Sequence, residues 1–246
     1  LFGNAVDKAK GLVIATQEGL ETVDDYKKRI AQTVGHASLV LDSAPIGDQV
    51  SQIAFGRSER PLFGRLHREI AGPAARIETA MEIGDLESFE WPSPDCLDRS
   101  GLKAQCLRHQ DRALIYGFAD VWQRPALVRG WEEMFIDMVE RPDWAHFICR
   151  KFTDFYLEDY TRAAEETRGR IDLYLLISDL GSQQGPLISM PMFREFVAPY
   201  IKEMVDHIHG LGARVLYHSC GLVYDLIPDL IGLGVDVLDP IQPIGP

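Results

Sequence analysis

Apolar and polar positions along the chain change period several times, and the changes mark the elements. In the second half, Ile171-Asp172-Leu173-Tyr174-Leu175-Leu176-Ile177 is a short, nearly continuous apolar run. Such a run is what a strand buried on both faces requires. A polar loop with two glycines follows, Ser178 to Pro186. Then Phe193, Val197, Ile201, Met204 and Ile208 recur at helical spacing, with Ser189 as N-cap and Pro191 in the first turn. Pro199 lies inside this pattern and predicts a bend, and Gly210 and Gly212 end it. Arg214–His218 reads as the next strand. Gly221 opens a helix with Leu222, Val223, Leu226, Ile227, Leu230 and Ile231 as its inner stripe, and Val235–Asp239 reads as one more strand. Upstream, Ala113–Phe118 is strand-like. Two helices follow, about Ala126–Val139 and Asp143–Thr167, parted by Arg141-Pro142. Ala37–Asp42 is a further strand candidate. Residues 43–112 read as irregular and insertion-like, and Trp91-Pro92-Ser93-Pro94-Asp95 within them reads as loop.

Strands alternating with helices through short loops imply right-handed crossovers and a parallel sheet. About five such units fit either an open doubly wound sheet or part of a (β/α)8 barrel. In both, a site belongs at the C-terminal strand ends. The 246 residues fit one domain of this class. The chain starts at Leu1 and stops after a strand-like segment, so later strands are expected to be missing.

Charge narrows the function classes. Net charge is −12, which argues against nucleic acid and against anionic membrane surfaces as partners. No apolar run approaches a membrane span. The four cysteines are irregularly spaced and do not form a disulfide framework, so a reduced, cytoplasmic setting is the expectation.

The sharpest chemical feature is Tyr217-His218-Ser219-Cys220-Gly221 at a strand end. Side chains at i and i+2 of a strand point the same way, with Cα atoms ~6.5–7 Å apart. His218 and Cys220 can therefore share one metal ion, and imidazole with thiolate is a zinc-type pair. A third ligand would come from another strand, one beyond Pro246 included. Two other readings stand beside this one. The pair can be a chance spacing of ordinary residues, or Cys220 can be a metal-free thiol activated at a helix N-terminus. Asp179 and Gln183 follow the strand at Leu173–Ile177 and suit positioning of substrate or of a ligand. Asp120, Gln184, Tyr217 and Asp239 are the candidates for substrate contact, and turn capping is the plainer role for the acidic ones. His207 and His209 read as surface, Cys149 as core, and Glu132-Glu133 as solvated helix. Phosphate-cradling and serine-hydrolase motifs are absent.

Several stretches together resemble the uroporphyrinogen decarboxylase superfamily. They are Trp91-Pro92-Ser93-Pro94-Asp95, Gly130-Trp131-Glu132-Glu133-Met134, Asp179–Ser189, Phe193-Arg194-Glu195-Phe196, His218-Ser219-Cys220-Gly221 and Ile227-Pro228-Asp229-Leu230. The resemblance spans about Phe63 to Pro243. It implies a (β/α)8 TIM-type barrel, incomplete here, over 1–246. It also implies one of two activities. One branch decarboxylates a tetrapyrrole without cofactor. The other transfers methyl groups with zinc and a corrinoid carried by a partner protein. His218 and Cys220 match the zinc pair of the second branch, while the later cysteine of that branch has no counterpart. The resemblance therefore favours methyl transfer between a corrinoid protein and a thiol, methyl ether or methylamine, in a protein that can be a homodimer. The runners-up are decarboxylation, with Arg57, Arg60, Arg65 and Arg68 available for carboxylates, and a barrel that has lost its site.

Overall fold

The computed structural model describes residues 80–241, Ile77, and the backbone of two short strands, Val13–Thr16 (β1) and Leu39–Leu41 (β2). Four further strands follow: Leu114–Ala119 (β3), Leu173–Ile177 (β4), Arg214–His218 (β5) and Val237–Ile241 (β6). All pairings are parallel, and the sheet order is β1-β6-β5-β4-β3-β2. From β2 the strands run 2-3-4-5-6 and then return to 1. The order advances without the reversal that defines a doubly wound sheet. This is the winding of a (β/α) barrel, opened between β1 and β2 among the described residues.

The strand alternation separates two faces. Leu114, Tyr116, Tyr174, Leu176, Val215, Tyr217 and Leu238 join the helices in the main core. Ala113, Ile115, Leu173 and Val237, with Leu175 and Leu216 against them, form a second, smaller cluster on the inner face. Period-two alternation thus assigns His218 and Asp239 to the inner face, in step with Leu216 and Val237.

The helices lie between the strands. They are Ile83–Glu87 (α1), Leu102–Arg108 (α2), Gln123–Arg129 (α3), Trp131–Glu140 (α4), Pro142–Thr167 (α5), Met190–Phe196 (α6), Ala198–Gly210 (α7) and Ile227–Leu233 (α8). In α5, Ile148, Phe152, Tyr156, Tyr160 and Ala163 form the buried stripe. Tyr160 reaches under β3. Its hydroxyl accepts the Ala119 N–H at 2.9 Å and donates to the Leu175 carbonyl at 2.5 Å. The register of β3 against β4 slips between Tyr116 and Ala119, and Gly117 sits there at φ +91°. A Cβ on Gly117 would meet the Tyr160 hydroxyl at 2.3 Å, so glycine is required.

Three expectations are corrected. The pattern from Ala126 to Val139 is two helices, because Gly130 at φ +89° breaks it. Pro199 does not bend a continuous helix. The chain breaks at Val197 and restarts, with Pro199 in the first turn of α7, where a missing N–H leaves no hydrogen bond unmade. Gly221 does not open a helix. Loop and a 3₁₀ turn at Tyr224–Leu226 precede α8, whose first turn holds Pro228. The described part of the segment read as irregular carries α1, the 3₁₀ turn Pro94–Cys96 and α2. Residues 43–76 lie outside the described residues, Arg57, Arg60, Arg65 and Arg68 among them.

One buried ion-pair network ties the helices together. Arg129 and Asp137 are both sealed from solvent, with Nε to Oδ2 at 2.6 Å. Arg129 also donates to the Ile77 carbonyl at 2.5 Å, and Arg141 adds a 2.8 Å contact to Asp137. Glu133, read from sequence as solvated, pairs with both arginines. No described helix is long and apolar enough to cross a membrane.

Candidate metal centre

The ends of β4 and β5 lie level with Asp239 of β6. Ile177 pairs with His218, and His218 pairs with Asp239. In this register the imidazole and the Asp239 carboxylate stand side by side on the inner face, with Nδ1 and Oδ2 3.2 Å apart. A carboxylate only accepts, so the proton of the neutral ring lies on Nδ1 and Nε2 keeps its lone pair. Cys220, two residues on, brings Sγ to 3.4 Å from Nε2. Asp179, two residues past the end of β4, brings Oδ1 to 3.9 Å from the same nitrogen. That Oδ1 also accepts the Cys220 N–H at 2.8 Å. One donor atom from each of Asp179, His218 and Cys220 thus lies within 4.8 Å of the others.

These donors suit a divalent ion of zinc type. Imidazole nitrogen, thiolate sulfur and carboxylate oxygen are its three side-chain donor classes. The second ring nitrogen of a ligating histidine usually donates to a carboxylate, as Nδ1 does here to Asp239. All three residues are half-buried, so the group is not sealed in the core. Burial pushes the Cys220 thiol up, and Asp179 and Asp239 push it further. With no helix starting at Gly221, the structure therefore gives no support to a metal-free activated thiol.

Residues 121–241, the stretch that carries this centre, match the family model of uroporphyrinogen decarboxylase (URO-D). This segment is similar to the uroporphyrinogen decarboxylase superfamily, over just under half of the chain. Among solved structures, a methyltransferase from Methanosarcina mazei aligns with a TM-score of 0.50 at 15% identity. The alignment covers 62% of this chain and 45% of that one, so the chain spans less than half of that neighbour's length. The likeness is one of fold. No curated protein matches the chain. In barrels of this kind the C-terminal strand ends carry the chemistry, and the three-residue cluster lies at those ends.

The other expected site residues divide. Asp239 holds the His218 ring and remains half-exposed. Asp179, expected to position substrate or a ligand, lies just past the end of β4 beside His218 and Cys220, where a third donor could come from within the chain rather than from a strand beyond Pro246. Period-two alternation made His218 and Cys220 legible; Asp179 needed the register between β4 and β5. Gln183 and Gln184 are exposed at the tip of a turn closed by the Ser182 N–H donating to the Gly185 carbonyl at 2.7 Å. Tyr217 is corrected: it points to the helix face, only 1% exposed, and its hydroxyl donates to the Ser178 carbonyl at 3.4 Å. Asp120 is likewise buried rather than open to substrate. It accepts the Trp122 and Gln123 N–H groups at 3.2 and 2.8 Å and the Ser178 hydroxyl, and Arg124 lies 3.8 Å away. Burial raises its pKa to about 6. Cys149 is core, as read. His207 is half-buried against Thr161, whereas the sequence reading put it on the surface.

Proposed function

We propose that the chain is a zinc-dependent methyltransferase of the uroporphyrinogen decarboxylase superfamily. It would act on a small thiol, methyl ether or methylamine, with a corrinoid protein as the other party to the transfer. The observation that carries this reading is the meeting of Asp179, His218 and Cys220 at the ends of β4 and β5.

The residues divide the work. Asp239 fixes the His218 ring, so that Nε2 faces Cys220 and Asp179. The Cys220 N–H fixes the Asp179 carboxylate. Zinc bound by these three would supply a Lewis acid that holds the substrate heteroatom. The corrinoid partner rests on the superfamily resemblance and on the placement of the cluster at the strand ends, where a second protein can approach. Among the described residues, Asp179 and Asp239 at these strand ends would repel the carboxylates of a polycarboxylate, which favours methyl transfer over decarboxylation.

The test is to incubate the purified protein with zinc, methylcobalamin and a panel of small thiols, and then to run the reverse reaction with reduced cobalamin and methyl ethers or methylamines. Exchange between the methylated and reduced corrinoid spectra, abolished by Cys220→Ala, is the expected result. Release of carbon dioxide from a porphyrinogen by the zinc-free protein would support the decarboxylase instead. Inactivity in both assays, with the presence of zinc confirmed, would favour a barrel without catalysis.

A further inference from the structure

Ser219 lies between His218 and Cys220, and strand alternation turns it away from the mouth. It is fully buried. Its hydroxyl accepts the Leu180 N–H at 2.9 Å, on the loop that carries Asp179, and donates to the Cys220 carbonyl at 3.2 Å. Its own N–H donates to the Asp239 carbonyl at 3.0 Å. One small residue is thus bonded to the Asp179 loop, to the residue that orients His218, and to Cys220 itself.

Next to it the two loops cross in backbone contact. A Cβ on Gly221 would meet the Gly181 carbonyl carbon and oxygen at 2.3 Å, and one on Gly181 would meet the Leu222 nitrogen at 2.8 Å. Gly221 also holds φ at +87°. The Leu222 N–H donates to the Ser182 carbonyl at 2.7 Å and closes the crossing. The separation of the Asp179 carboxylate from the Cys220 sulfur is therefore set by the backbone, with the Ser219 hydroxyl as the polar tie.

We propose that Ser219 is a positioning residue that locks the Asp179 loop to the His218–Cys220 loop and so presets the donor group. This inference rests on the metal reading above. Removing the hydroxyl leaves the buried Leu180 N–H without its acceptor and removes one of the ties between the two loops, so the Asp179 side of the crossing loosens. Supports of this kind behind metal ligands change affinity about 10–100-fold when lost.

The experiment titrates cobalt(II) into the metal-free full chain and follows the ligand-field bands and chelator competition. Three variants are compared with the wild type. Ser219→Ala cuts the tie. Gly181→Ala strains the same crossing from the other loop. Thr167→Ala removes a buried hydroxyl, bonded at 2.7 Å to the Ala163 carbonyl, at the far end of α5. The expected result is cobalt affinity lower by about tenfold or more with shifted bands in Ser219→Ala, the same direction in Gly181→Ala, and wild-type binding in Thr167→Ala. Wild-type affinity and bands in Ser219→Ala overturn this inference alone. If Ser219→Ala does not fold, Gly181→Ala decides on the same criterion. A wild-type chain that takes up no cobalt overturns the metal reading and this inference with it.

Discussion

The Asp239 carboxylate lies 3.2 Å from Nδ1 of His218, on the side of the ring away from Cys220 and Asp179. This contact fixes which nitrogen faces the donor group. Asp239→Ala leaves the ring free to rotate and to exchange tautomers. Zinc affinity, read by competition with a chromogenic chelator, is expected to fall about 10–100-fold. Affinity within twofold of the wild type would show that the ring is held by something else.

Asp120 gives stability an unusual pH dependence. Its folded pKa is raised to about 6 from 3.8, with burial as the main cause. Between these values the folded chain keeps a proton that the unfolded chain has lost. Stability from this group therefore falls as pH rises from about 4 to about 6, and stays lower above. The full difference is about 3 kcal/mol. Urea unfolding of the wild type and of Asp120→Asn at pH 4 and pH 7 isolates it. The wild type is expected to lose most of that amount relative to the variant on going to pH 7, and a constant difference between the two would contradict the assignment.

The Arg129–Asp137 pair is sealed from solvent. Arg129→Ala leaves a buried carboxylate with less compensation and the Ile77 carbonyl with only the longer Ala80 N–H contact, at a cost of about 3–5 kcal/mol. The double change Arg129→Met, Asp137→Leu removes both charges and is expected to cost much less than the sum of the single changes. Denaturation midpoints of the wild type, Arg129→Met, Asp137→Leu and the double variant check this; additive losses would refute it.

Gly117→Ala is expected to destabilise the chain by about 2–4 kcal/mol, because it adds a methyl group both at positive φ and against the Tyr160 hydroxyl. Adding Tyr160→Phe to it should recover little, since the ring carbons lie only 2.5 Å from the same point. Thermal unfolding of the single and double variants measures this, and a neutral Gly117→Ala would contradict the backbone geometry.

What the sequence discloses depends on how local the signal is. The strands β3 to β5 stand within a residue or two of their apolar runs, because burial on both faces leaves little freedom. The choice between a barrel and a doubly wound sheet was not legible from periodicity, since both use the same units; strand order decides it. Helix breaks at Gly130 and Val197 were missed because apolar spacing continues across them while the backbone turns. Within the site, His218 and Cys220 follow from alternation along one strand. Asp179 joins them only through the register of β4 on β5, a contact 41 residues apart in the chain. Tyr217 was misplaced by the same alternation, one residue out of step with its neighbour.

The most direct measurement is the zinc content of the purified chain beside Asp179→Ala, His218→Ala and Cys220→Ala, by elemental analysis after dialysis. About one zinc per chain is expected in the wild type and clear loss in each variant, with His218→Ala and Cys220→Ala near zero. Zinc retained in full by His218→Ala and Cys220→Ala, or a folded wild type that holds none when supplied with it, would contradict the metal centre.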